Sequence, residues 1–221
     1  MEKLYTEEKF QYVASQLRCP NGEKGLDISD EMHRTHINMT LSGMASLELA
    51  SKDRILEIGP GSCKHLESIL QNKNDIQYYG LETSILMKEE AQRKHYDRFL
   101  NGTANFFHYG GKLFPFESNY FDAIITINTI YFWDNPALMI NQIYNVLKPK
   151  GICNIVFAEK KFMKTLPFAQ YDFRLYGEKE LRKLLDKSLL EIINIQVKKD
   201  FVKNKMGDSV ERVYLIASLT K

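Results

Sequence analysis

The spacing of apolar residues changes near residue 54. Before that point they recur at helical intervals. Tyr12, Val13 and Leu17 mark a first helix, and Cys19-Pro20-Asn21-Gly22 breaks it. Met32, His36, Met39, Gly43 and Leu47 share one stripe of a second helix, predicted over 29–50. Beyond residue 54, short continuous apolar runs alternate with helical patterns. Strands are predicted over 54–59, 76–81, 104–108, 121–127, 152–157, 191–197 and 212–218. Helices are predicted around Leu66–Leu70, over 84–100 and 136–147, and after Gly177, with Lys148-Pro149-Lys150-Gly151 as the stop signal of the third. The stretch 121–127 is apolar almost throughout, the pattern of a central strand buried on both faces. Such alternation gives a mainly parallel α/β sheet flanked by helices. Ligands of these sheets bind beyond the carboxyl ends of the strands, where strand order reverses.

A length of 221 residues fits one full-sized domain with a small addition. We read 1–50 as an N-terminal helical cap and 51–221 as the sheet domain. Lys plus Arg is 30 and Asp plus Glu is 28, a net charge of +2. That balance argues against a dedicated nucleic-acid binder. The first ten residues lack the apolar segment of a secretory signal. The best apolar run, 123–133, is too short for a membrane span and contains Thr126, Asn128 and Thr129. Three scattered cysteines, Cys19, Cys63 and Cys153, suit free thiols in a reducing cytoplasm. A monomer or a homodimer fits equally well.

The loop after the first strand, Glu57-Ile58-Gly59-Pro60-Gly61-Ser62-Cys63, carries the chemistry. Gly59 and Gly61 permit a tight turn and close approach of a ligand to the backbone. Lys64 occupies the place of the third glycine of a dinucleotide fingerprint, so that match fails. A carboxylate two positions before the first glycine is a poor neighbour for pyrophosphate and a good one for a cation. Glu82, at the end of the second strand, is placed to accept the hydroxyls of a ribose. Together they point to a nucleoside-containing ligand.

In these stretches the chain resembles the class I S-adenosylmethionine-dependent methyltransferases. Residues 55–63 look like the first family motif, and Gly80-Leu81-Glu82-Thr83-Ser84 with Met87 looks like the second. Leu113-Phe114-Pro115-Phe116 before Phe121-Asp122, and Val146-Leu147-Lys148-Pro149-Lys150-Gly151, resemble two more. The resemblance is to the small-molecule branch that includes quinone-precursor C-methyltransferases. It implies a Rossmann-like, doubly wound, seven-stranded sheet, mostly parallel with an antiparallel last strand. It implies S-adenosylmethionine as cofactor and S-adenosylhomocysteine as product. By the same resemblance, Glu57 lies near the methionine part, Gly59, Pro60 and Gly61 give backbone approach, and Glu82 holds the ribose. Thr83, Ser84 and Met87 border ribose or adenine, Gly110, Gly111 and Lys112 flank the adenine, and Asn128 faces the cofactor. Gly110 stands where the family often has an acid, which removes one side-chain contact to the ring. Cys63 replaces a usual glycine or alanine and reads as packed.

Methyl transfer needs alignment more than machinery, and a base only for a poor nucleophile. Tyr131 and Phe132, in the loop after the fourth strand, are candidates for the acceptor side, with packing an equal reading for Tyr131 and the preferred one for Trp133. His36 is the candidate general base because an ordinary imidazole titrates near neutral pH. His33 lies three residues before it, yet no further ligand pair supports a metal site. Tyr12, Met39 and Thr40 are candidate acceptor contacts on the cap. His108 lies at the active edge, whereas His65 and His95 read as helix surface. The aromatic stretch 160–176 reads as a substrate lid, with Arg174 available to an anionic group. Lys198, Lys199, Lys203 and Lys205 read as a solvated turn. The acceptor is expected to be a small molecule. The alternatives are a nucleic-acid or protein acceptor, and a cofactor-binding protein without turnover.

Overall fold

The computed structural model describes residues 2–71, 75–203 and 207–221, with side chains from residue 6 onward. Lys205 lies outside the described residues. Helices α1 (Glu2–Arg18) and α2 (Gly22–Ala45) precede strand β1 (Arg54–Ile58). Then follow α3 (Leu66–Leu70), β2 (Gln77–Glu82), α4 (Ile85–Lys94), α5 (Tyr96–Leu100), β3 (Ala104–His108) and β4 (Phe121–Ile127). The chain continues through α6 (Pro136–Val146), β5 (Leu147–Ala158), α7 (Lys160–Met163) and α8 (Glu178–Leu185) to the hairpin β6 (Glu191–Lys203) and β7 (Ser209–Thr220).

The seven strands form one sheet in the order β3-β2-β1-β4-β5-β7-β6. All neighbours are parallel except β7, which runs antiparallel to β5 and β6. The alternation predicts the mainly parallel α/β sheet, and the family resemblance implies its Rossmann-like form with an antiparallel last strand. Alternate residues of each strand feed two cores. Ile55, Tyr78 and Ile125 pack under α2, α3 and α4, while Leu56, Leu81 and Ile124 pack under α6 and α8. No helix among the described residues is long and apolar enough to cross a membrane.

Three predicted boundaries move, each for a local reason. The second helix starts at Gly22 rather than Ser29 and stops at Ala45, where Ser46 Oγ donates to the Gly43 carbonyl at 2.9 Å. The helix expected over 84–100 is interrupted at His95, whose backbone turns out of helical geometry and whose Nε2 sits 2.8 Å from the Cys63 carbonyl. Lys148-Pro149-Lys150-Gly151 ends α6 as expected but lies within β5, as an irregularity between the pairs Phe121–Leu147 and Ala123–Ile152.

Candidate active site

Strand order reverses between β1 and β4, and the carboxyl ends there open into a cleft of about 470 Å³. The cap closes one side with Leu17 to Pro20 of the first turn and with Ser29, Met32, His33, His36 and Thr40 of α2. Ser29 Oγ meets Ser62 Oγ at 2.9 Å, and Arg18 pairs with Asp134 at 2.6 Å. These contacts tie the cap to the loops after β1 and β4. Phe162, Leu166, Phe168 and Phe173, from the stretch read as a lid, also line the cleft.

The glycine loop has the shape a cofactor needs. Gly59 has φ +74°, and a Cβ there would lie 2.5 Å from Thr129 Cγ2. Gly61 has φ +59° with no atom within 4 Å of its missing Cβ, so its bare backbone faces open space in the cleft wall. The Glu82 carboxylate braces this loop. It accepts N–H bonds from Gly61 at 2.9 Å, Thr83 at 2.7 Å and Ser84 at 2.9 Å. Burial raises its pKa, and those three amides oppose the rise.

Glu57 is 1 % exposed, on the α2–α4 face of β1. Its Oε2 lies 2.8 Å from His65 Nε2 and accepts the Tyr78 hydroxyl at 2.6 Å. Burial opposes charge on His65, but Glu57 and Cys63 outweigh it and hold its pKa well above the ordinary value. His65 and His95 are therefore core residues, each 7 % exposed, and not helix surface. Cys63 is packed, and burial raises its thiol pKa. The sequence points to no metal site, yet Glu57, Cys63 and His65 each bring a ligand atom within 4.8 Å of the others. His65 and Tyr78 both bond the Glu57 carboxylate, and Cys63 Sγ bonds the Tyr78 hydroxyl, which already accounts for that closeness.

The structure sorts the remaining site residues. Gly59, Pro60, Thr83, Gly110, Gly111 and Asn128 line the cleft. Ser84 and Met87 do not: Ser84 Oγ caps α4 through Met87 N–H at 3.1 Å, and Met87 is fully buried. Lys112 is exposed, and its carbonyl accepts from Gln142 Nε2. Tyr12 is 43 % exposed on α1, away from the cleft. Met39 lies wholly buried behind the wall, where Thr40 alone of the pair lines the cleft. Phe132 reaches the cleft, whereas Arg174 sits in a side pocket with Asp134 and Asp172.

Burial disfavours the charged form of each candidate base. Burial, then Arg212 and His33, lower the His36 pKa to about 3. Tyr131 is 3 % exposed, its hydroxyl donates to the Ala158 carbonyl at 2.8 Å, and burial raises its pKa. The Tyr131 hydroxyl also lies 3.1 Å from Asn128 Oδ1, which accepts the Ala158 N–H as well. Asn128 has φ +55°, so this side chain fixes the turn after β4 against the end of β5. Sequence reasoning missed Arg212, which β7 brings to the cleft from a part of the chain without a motif.

Residues 56–155 match a family model described as a methyltransferase domain. The "Uncharacterized methyltransferase YdaC" of Bacillus subtilis (strain 168) is 27 % identical over 147 residues, which cover 61 % of this chain and 76 % of that protein. Among solved structures, the partner of the Trm112 methyltransferase activator in a Haloferax volcanii complex superposes with a TM-score of 0.72. It is 16 % identical, over 87 % of this chain and 92 % of that one. Geranyl diphosphate C-methyltransferase of Streptomyces coelicolor A3(2), solved with geranyl diphosphate and S-adenosyl-L-homocysteine, gives 0.68. It is 11 % identical, over 91 % and 86 % of the two chains. These structures share the fold.

Proposed function

We propose that this chain, a class I S-adenosylmethionine-dependent methyltransferase, methylates a small-molecule acceptor held between its cap and the carboxyl ends of β4 and β5. The observation that carries this reading is the lining that the cap and the 160–176 stretch both give to the cleft. Cap residues such as Met32 and Thr40 and residues of the 160–176 stretch such as Phe162 and Phe168 line the same space of about 470 Å³. That is the size range of small-ligand sites.

The cofactor supplies an electrophilic methyl group on a sulfonium. Gly59, Pro60 and Gly61 give it backbone approach, Glu57 supplies the nearby negative charge, and Glu82 and Thr83 take the ribose side. Gly110 and Gly111 border the adenine. Phe132 and Phe173, whose ring centroids lie 4.6 Å apart, offer aromatic surface to the acceptor. Because His36 is a weak base and Tyr131 is engaged, we assign the chain to transfer without a strong general base. Its work is orientation and exclusion of water, which suit an acceptor atom already nucleophilic.

The test offers radiolabelled S-adenosylmethionine and the full chain to three acceptor sets: small molecules, RNA and proteins. Transfer to a small molecule is expected. Label appearing only in RNA or protein sinks the reading. Binding of cofactor with no transfer to any set favours a protein without turnover.

A further inference from the structure

We propose that the acceptor carries an anionic oxygen group, a carboxylate or a phosphate, and that Arg212 binds it. This rests on the small-molecule reading above.

Arg212 is 2 % exposed and lines the cleft from β7. Burying a guanidinium is costly and needs partners. Asp200, directly opposite on β6, supplies one pair, accepting from Nε at 2.9 Å and from Nη2 at 2.6 Å. That pair occupies two of the five N–H donors. The charge still reaches the cleft: after burial, Arg212 is the next cause of the lowered pKa of His36, and it also favours ionisation of the Tyr131 phenol. The other long cations at the cleft are taken near the surface, Arg18 by Asp134 and Lys64 by Asp30.

The buried acids of the cleft and Arg212 lie at different places along the sheet. The acids, Glu57 and Glu82, belong to β1 and β2. Beside the imidazolium of His65, which is paired with Glu57, the buried cation is Arg212 of β7, three strands from β1 in the sheet order, roughly 14 Å at ordinary strand spacing. A sulfonium cofactor with an ammonium group suits the acids. Arg212 suits an anion, and guanidinium forms directional paired bonds with carboxylate and phosphate. Phe162, Phe168 and Phe173, which also line the cleft, suit an apolar body. The acceptor class is thus an apolar or aromatic molecule ending in anionic oxygens.

The experiment is calorimetry on the full chain saturated with S-adenosylhomocysteine, with 2-naphthoate, 2-naphthyl phosphate and 2-naphthamide as matched probes. At least one anionic probe should bind about tenfold more tightly than the amide. Whichever binds tighter tells carboxylate from phosphate. Arg212→Gln should abolish the preference and leave S-adenosylhomocysteine affinity within about twofold, with Arg212→Lys restoring part of it. Should Arg212→Gln fail to fold, Asp200→Asn serves instead: it leaves the guanidinium without its counter-charge and should strengthen the anionic probe severalfold. Equal binding of acid and amide overturns the proposal, as does no binding of either anion, or a preference that survives in Arg212→Gln. Failure of the parent reading looks different: label transfers only to RNA or protein in the acceptor survey.

Discussion

His65 Nε2 lies 2.8 Å from Glu57 Oε2, and the two side chains are almost wholly buried beneath the glycine loop. The pair places a cation against the acid that precedes the glycine loop. Burial disfavours the imidazolium, and the Glu57 carboxylate, with Cys63 beside it, overcomes that. Because the folded pKa is above the unfolded value of about 6.5, the stabilisation is fully present below pH 6.5. It is lost as pH rises through the folded pKa. His65→Gln should cost about 3–5 kcal/mol at pH 6, the usual result of leaving one partner of a buried pair alone. The difference from wild type should shrink at alkaline pH in urea denaturation. A pH-independent difference contradicts the charged pair.

His36 shifts the other way. Burial, Arg212 and His33 hold its pKa at about 3. It should stay neutral from pH 5 to 8 in an NMR titration of ring signals. The unfolded chain takes the proton more readily, so this residue makes stability fall as pH drops from about 6.5 toward 3. A midpoint near 6.5 in the folded protein refutes this assignment.

Glu82→Gln keeps the shape of the side chain and removes its charge. The three amides of Gly61, Thr83 and Ser84 then lose a charged acceptor. Affinity for S-adenosylhomocysteine should fall at least about tenfold, near 1.4 kcal/mol. Calorimetry measures it, and unchanged affinity removes Glu82 from the cofactor site.

The two loop glycines should separate in their effects. Gly59→Ala drives a Cβ to 2.5 Å from Thr129 Cγ2, so it should lower the melting temperature most. Gly61→Ala meets no protein atom within 4 Å, so its stability cost is the positive φ alone, about 1 kcal/mol. Its larger effect should be on cofactor affinity, because the new methyl enters the cleft. Equal melting temperatures with equal affinities run against this division.

Tyr131→Phe removes the bond to the Ala158 carbonyl. Loss of that buried partner should cost about 1–3 kcal/mol of stability. If Tyr131 only packs, the pH dependence of kcat survives unchanged in the variant. Loss of one limb of that profile assigns it to proton transfer instead.

Local pattern determined much of this protein. The alternation of short apolar runs with helical stripes specifies the α/β order, because period and run length depend only on neighbouring residues. Gly59, Gly61, Glu57 and Glu82 were legible for the same reason: a turn at one strand end and an acid at the next are local features. Tertiary structure decided which side chains meet. His65 and His95 look like polar helix positions, yet Glu57, 8 residues from His65 in sequence, and the Cys63 carbonyl draw them into the core. Ser84 and Met87 sit in a cofactor motif, yet capping and packing turn them away from the cleft. Arg212 reaches the cleft because β7 inserts between β5 and β6. No local spacing encodes that insertion, since sheet order follows from how the whole chain buries its two faces. The lowered pKa of His36 has the same origin, for it depends on burial and on a cation 176 positions away in the chain.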